Sequence, residues 1–219
     1  MIKSRIVSDM RFVDRDRLII ERCEGKKVLH LGCTDSPVHE QQYERGRLLQ
    51  QKLLGPCAAV TGIDIDPKSL EWLEATLGTG DYRLGDIEDA TFMSPLTAEG
   101  YEVILLPDVL EHLNNPMAAL SNIQLICNES SRLIVTVPTA YSVKSFMRVV
   151  VGHELIHPDH VAFYSPYVLT NLLDRAGFAC TDYFAFVGGG RGPIAAGTNL
   201  LARLFPRLAE GVGVVARKS

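Results

Sequence analysis

Seven short apolar runs divide the chain, and most stop at glycine, proline or a polar residue. They lie at 27–31, 58–64, 82–84, 102–106, 132–137, 180–187 and 212–217. The strong ones, such as Val28-Leu29-His30-Leu31 before Gly32 and Leu133-Ile134-Val135-Thr136-Val137, are apolar without alternation. That pattern marks strands of a parallel sheet covered on both faces. The gaps carry helical spacing. Leu70, Leu73 and Leu77 share one face, as do Met117, Leu120, Ile123 and Cys127, and again Leu169, Leu172, Leu173 and Ala176. Asp66-Pro67, Asn115-Pro116 and Ser165-Pro166 each set a capping side chain before a proline at the first helical position. Gly78 and Gly177 are placed to end two of these helices. Further helices are expected at 13–23, 41–54 and about 194–208.

Strand followed by helix, repeated, predicts an α/β architecture: a doubly wound, Rossmann-like sheet of seven strands. The last strand, 212–217, follows its predecessor through a single helix and is expected to return antiparallel, as an edge partner. Two stretches break the alternation. Residues 140–164 form a long insertion after the fifth strand, and Gly188-Gly189-Gly190 with Gly192 reads as a flexible turn.

Composition narrows the class. A chain of 219 residues with 47% apolar and 22% charged side chains suits one domain, 1–219, with a full core. The net charge of −4 argues against a nucleic-acid backbone as partner. Cys23, Cys33, Cys57, Cys127 and Cys180 are scattered with no C-x-x-C pair, so neither zinc nor a disulfide framework is suggested and a reducing, cytoplasmic setting is expected. The charged stretch 1–17 has no apolar signal core, and no run is long enough to span a membrane.

Ligands of doubly wound sheets bind at the carboxyl ends of the strands, where the strand order reverses. The first strand ends in Gly32-Cys33-Thr34-Asp35-Ser36, a turn that admits a ligand to the backbone or simply joins strand to helix. The second ends in Gly62-Ile63-Asp64-Ile65-Asp66. Asp66 is explained as a cap. Asp64 has no such duty, and an ionised carboxylate accepts hydrogen bonds from a ribose diol. The third ends in Gly85-Asp86-Ile87, where Asp86 either meets an adenine amino group or closes a turn. The fourth leads into Leu106-Pro107-Asp108-Val109-Leu110-Glu111-His112. His112 is a proton acceptor, a substrate-orienting group or a structural histidine.

In this order, Val-Leu-His-Leu-Gly-Cys, Thr-Gly-Ile-Asp-Ile-Asp, Gly-Asp-Ile, Asp-Val-Leu-Glu-His-Leu-Asn-Asn-Pro and Leu-Ile-Val-Thr-Val-Pro-Thr resemble the class I S-adenosylmethionine-dependent methyltransferases over about residues 26–217. The stretch from His157 through His160, Phe163 and Tyr164 to Gly177-Phe178 is similar to the ubiquinone-type small-molecule branch and to methyltransferases of polysaccharide and glycolipid biosynthesis. The resemblance implies S-adenosylmethionine as cofactor. It places Gly32, Cys33 and Thr34 along the methionine part, Asp64 on the ribose, and Ile65 on the adenine wall. It places Asp86 and Ile87 at the adenine edge and Leu106 and Pro107 beneath the sulfonium. The chain departs from the family at two points. His30 stands where an acid is usual, and Thr34 where glycine is usual, its hydroxyl positioned for the cofactor carboxylate.

The implied activity is methylation of a small molecule at a hydroxyl, on a saccharide or secondary metabolite. Proton removal then falls to one of four histidines that include His153, and first to His112, His160 or His157. Residues 140–164 are expected to be a lid over the acceptor, faced by at least one of those histidines. The spacing of His153, His157 and His160 hints at a metal, but without cysteine or an acid triad no metal site is expected. The alternative is a catalytically weak, methyltransferase-like partner subunit, motivated by Thr34 and His30. An NAD-dependent oxidoreductase is disfavoured: G-x-G-x-x-G is missing, and Asp64 lies too far beyond Gly32.

Overall fold

A computed structural model of the chain describes residues 10–78, 80–154, 156–188 and 193–219. Eight strands are found among them: β1 (Arg11–Phe12), β2 (Lys27–Leu31), β3 (Ala59–Asp64), β4 (Asp81–Leu84), β5 (Val103–Pro107), β6 (Arg132–Pro138), β7 (Phe178–Phe186) and β8 (Gly211–Lys218). They form one sheet in the order β1-β7-β8-β6-β5-β2-β3-β4. The chain winds outward from β2 through β3 to β4, then restarts on the other side of β2 with β5 and β6. The order therefore reverses between β2 and β5, and the carboxyl ends of these two strands flank the binding crevice of such a sheet.

The seven strands read from the sequence are all present, and β8 is antiparallel to both its neighbours. Two features differ from expectation. The two-residue β1 adds an eighth strand at the edge beside β7, too short to show any periodicity. Strand β8 lies inside the sheet, between β6 and β7, and not at an edge. Its first six residues are all buried, as suits a strand covered on both faces and paired along both sides. Gly213 and Gly211 make the placement possible, because Phe184 and Phe186, their partners on β7, lay their rings across them. A Cβ on Gly213 would come within 2.1 Å of the Phe184 ring.

The helices are α1 (Arg15–Cys23), α2 (His39–Glu44), α3 (Leu49–Leu53), α4 (Pro67–Leu77), α5 (Ala90–Met93), α6 (Pro116–Ile126), α7 (Val143–Val150), α8 (Pro166–Arg175) and α9 (Pro193–Leu204). The three proline-led helices start as expected: Asp66, Asn115 and Ser165 accept hydrogen bonds from the backbone N–H of Lys68, Ala118 and Val168. The helix expected over 41–54 is instead two short ones. Gly46 adopts φ 62° and Leu48 is extended, so the chain turns and restarts at Leu49. The glycine turn 188–192 lies outside the described residues except for Gly188.

Side chains alternate across the sheet as a period of two requires. Leu29, Leu31, Ile104, Leu106, Leu133 and Val135 join α6 and α8 on one face. Val28, Leu105, Ile134 and Phe184 join α1 and α3 on the other. Among the described residues no helix is long and apolar enough to cross a membrane.

Candidate functional site

Three loops meet at the reversal of strand order. After β2, Gly32 takes φ 73°, and a Cβ there would meet Val109 Cγ2 at 2.4 Å, so glycine is required twice over. Cys33 turns its sulfur into the core against Gly62, where burial pushes the thiol pKa up. Its backbone N–H and that of Gly32 both donate to the Ile63 carbonyl, at 3.2 and 2.8 Å. Thr34 is also buried, at 1% exposure. Its N–H and hydroxyl both donate to Asp64 Oδ2, at 3.0 and 2.8 Å, while Asp64 Oδ1 accepts from Asp66 N at 3.1 Å.

This corrects two expectations. Asp64 does have a structural duty, since it ties the loop after β2 to the start of α4. The Thr34 hydroxyl is directed to that carboxylate and not outward to a ligand. Of the roughly four acceptor directions of a carboxylate, three are taken, and the fourth lies on Oδ1.

The adenine candidates divide. Ile65 stands 68% exposed beside Asp64, an apolar side chain presented to solvent at the carboxyl edge. Asp86 is exposed, and its Oδ1 accepts from Glu88 N at 2.8 Å, which makes it a turn residue. Ile87 is buried in the core.

After β5, Leu106 is buried and Pro107 half-buried. Asp108 then enters the left-handed region with φ 52°, matched across the crevice by Asp35 with φ 60°. Non-glycine residues in this region cost on the order of 1–3 kcal/mol and persist where neighbours hold them. Asp108 is held by Thr136 Oγ1 at 3.0 Å and by an ion pair with Arg15 of α1. Arg15 also bonds Asp16, which Lys52 pairs at 2.6 Å. No sequence signal pointed to Arg15 or to the backbone at Asp35 and Asp108, because an arginine on a helix and a turn aspartate are both commonplace.

Within β2, His30 is buried at 2% exposure, with Nδ1 2.7 Å from Gln50 Oε1 and Nε2 without a partner. Burial lowers its pKa to about 4, against the opposing hydrogen bond that the ring donates to Gln50.

The histidines come together. His112 sits in a single turn of 3-10 helix after β5, at Leu110–His112. Its ring lies 4.6 Å from that of His160 and 5.4 Å from that of His157, centroid to centroid, and the latter two are 5.5 Å apart. All three are half-buried. Burial lowers the pKa of His112 and His160, with the neighbouring imidazoles adding to the effect. Glu111 lies beneath them at 1% exposure, with neither carboxylate oxygen hydrogen-bonded and Oε1 4.0 Å from His160 Nε2. Burial raises its pKa to about 8. His153, which the spacing grouped with His157 and His160, is exposed and outside the group. His112 takes its place, brought in by the fold.

Residues 140–164 are fixed at both ends. Thr139 bridges to Tyr164, and Val161 N donates to the Glu111 carbonyl at 2.8 Å. Ser142 caps α7. Beneath lies a cavity of about 450 Å³ walled by Tyr141, Val143, Phe146, Val149, Phe163 and Leu208 among others. A second, of about 160 Å³, has His157, His160, Arg148 and Glu210 in its wall and shares Thr139, Ser145 and Phe163 with the first. Neither has Gly32, Asp64 or Asp86 in its wall.

Residues 14–183 match a family model described as a methyltransferase domain. The chain is 27% identical over 172 residues to a ubiquinone biosynthesis O-methyltransferase of Actinobacillus pleuropneumoniae, covering 72% of this chain and 68% of that protein. Among solved structures, an S-adenosylmethionine-dependent methyltransferase from Clostridium acetobutylicum has a TM-score of 0.62 at 10% identity, covering 93% of this chain and 90% of that one. The magnesium protoporphyrin IX methyltransferase of Synechocystis PCC 6803, solved with bound SAH, has a TM-score of 0.57 at 16% identity, covering 94% and 82%.

Proposed function

The chain belongs to the methyltransferase-domain family, with S-adenosylmethionine as methyl donor, and from that premise we propose that it methylates a hydroxyl on a small molecule with an apolar body. The observation that carries this reading is the histidine trio, two of whose members line the smaller cavity that adjoins the apolar one. A neutral hydroxyl is a poor nucleophile until its proton is removed, and imidazoles near neutrality are suited to take it. His112, which follows directly on β5, is the first candidate, and His160 and His157 stand behind it. The name of the A. pleuropneumoniae relative supports O-methylation. Of the two acceptor classes the sequence left open, the walls of Tyr141, Phe146, Val149 and Phe163 favour a secondary metabolite over a bare saccharide. Residues 140–164 then act as a lid that keeps water from the reacting atoms. The net charge of −4 fits such an acceptor better than nucleic acid, and the five free cysteines fit a reducing, cytoplasmic setting.

The cofactor, when bound, supplies an electrophilic methyl on its sulfonium. The chain's part is to bind and align it. In our reading the loop from Gly32 to Thr34 backs the methionine portion through its main chain, and Asp64 takes one ribose hydroxyl on Oδ1. Ile65 covers the adenine, Asp86 borders it, and the turn from Leu106 and Pro107 supports the sulfonium end. Ile87 contributes from the core by holding that edge in place. The occupation of Asp64 by Thr34 favours a second reading, a domain of weak cofactor affinity that serves as a partner subunit.

Calorimetric titration with S-adenosylmethionine decides between them. Asp64→Ala should weaken binding by roughly 1.5–3 kcal/mol, the range for a hydrogen bond to a charged group. An unchanged affinity removes Asp64 from the site, and no measurable binding by the unaltered protein favours the partner-subunit reading.

A further inference from the structure

We infer that His112, His157 and His160, with Glu111 beneath them, form a binding site for one divalent transition-metal ion of the zinc type. The inference goes beyond the reading above, in which these imidazoles act singly on a proton.

Three observations carry it. One ring nitrogen from each histidine lies within 4.8 Å of the others. Nitrogen ligands around a tetrahedral zinc stand roughly 3.4 Å apart, from a metal–nitrogen distance of about 2.0–2.1 Å, so a shift of the half-buried rings closes the set. His157 Nδ1 lies 3.3 Å from Asp159 N and 3.7 Å from Asp159 Oδ2, and donated to that carboxylate its N–H would leave the Nε2 lone pair for the ion. A ligand histidine held through its other nitrogen is the usual arrangement of metal sites.

The second observation is Glu111. A side chain 1% exposed with both oxygens unpartnered is costly, and it faces His160 at 4.0 Å, beyond a hydrogen bond. His160 Nδ1 is likewise buried and without a partner. A cation among them would satisfy the carboxylate and the imidazoles together. Third, the ligands come from two places, the turn after β5 and residues 140–164, and the Val161–Glu111 backbone bond holds these together without the ion.

The donor set names the metal class. Three imidazoles, with the Glu111 carboxylate 4.0 Å from one of them, suit zinc and its neighbours, whereas magnesium and calcium prefer oxygen ligands. The site borders the smaller cavity, whose wall includes His157 and His160. With an ion in place the imidazole lone pairs are engaged. Proton loss from an acceptor hydroxyl is then eased by the ion's charge.

The test uses the full chain, tag-free and stripped with EDTA, with neither cofactor nor acceptor present. Titration with Co²⁺ should give a visible d–d band that saturates at one equivalent and is displaced by Zn²⁺. His157→Ala and His160→Ala should each weaken Co²⁺ binding at least tenfold, while His153→Ala, exposed on the same segment, leaves it unchanged. Thermal unfolding of each metal-free variant checks that it folds, and His157→Gln replaces His157→Ala if that fails. No saturable band, loss of affinity in His153→Ala equal to that in the others, or full affinity in both cluster variants overturns the site. Because S-adenosylmethionine is absent, this result is independent of the cofactor titration. Metal binding without cofactor binding leaves the site standing and removes the methyltransferase reading. The reverse outcome leaves the imidazoles as bases.

Discussion

His30 shows how one side chain adapts to a place where the family usually has an acid. It points to the face of α3, where Gln50 meets one ring nitrogen and burial holds the ring neutral. The charges of Asp64 and Arg15 act on it in opposite directions. The folded pKa of about 4 lies below the ordinary 6.5 of the unfolded chain. Between these values the unfolded state binds the extra proton, so the contribution is intact above pH 6.5 and is lost as pH falls toward 4. The size is on the order of 3 kcal/mol for a buried group with this shift. His30→Gln keeps an amide beside Gln50 but cannot titrate. Its urea midpoint should fall less steeply than that of the unaltered protein between pH 6.5 and pH 4, and parallel curves would show that His30 is not the group responsible. Asp64 teaches the complementary lesson. Its position was legible as a strand end, but its partner Thr34 lies thirty residues away in sequence and only folding brings them together.

At the level of elements, local chemistry was readable wherever a few neighbouring residues decide the outcome. The Asp66, Asn115 and Ser165 caps and the stop at Gly78 need only contacts within a turn or two. The break at Gly46 is the counterexample. Helical spacing ran through it, and the glycine's left-handed conformation won because α2 buries no side chain that would reward continuity. Strand β8 depends on a longer-range match between glycine and phenylalanine. Gly213→Ala places a methyl within 2.1 Å of the Phe184 ring, which is fully buried and has no room to retreat. The φ of Gly213 is not in the left-handed region, so the cost is steric, about 1–3 kcal/mol for an overpacked core. Urea unfolding should show that loss, and the double variant with Phe184→Leu should regain part of it. Undiminished stability in Gly213→Ala would mean that the two strands separate without cost.

For the molecule as a whole, the sheet places a binding crevice at one edge and residues 140–164 beside it. Phe163 lines both cavities and is 44% exposed, so it gives the core little support and, in the proposed reading, offers its surface to an acceptor. Phe163→Ala is expected to raise the acceptor KM severalfold, to leave the affinity for S-adenosylmethionine unchanged, and to lower stability by less than about 1 kcal/mol. Steady-state kinetics with an apolar hydroxyl acceptor that the unaltered protein methylates, beside cofactor titration, checks this. A variant with normal KM and weakened cofactor binding would move the acceptor pocket elsewhere.

The sequence alone determined the order of seven of the eight strands and of the helices α1, α4, α6, α8 and α9, the antiparallel last strand and the residues at the strand ends, because apolar periodicity and turn chemistry act over short distances. Tertiary structure decided that β8 sits inside the sheet, that Thr34 occupies Asp64, and that Arg15 steadies Asp108. It also decided which histidines meet. Spacing along the chain grouped His153 with His157 and His160, yet the fold brings His112 in from the β5 turn and leaves His153 in solvent. Distances between residues far apart in sequence depend on how whole elements pack, and no local pattern encodes them.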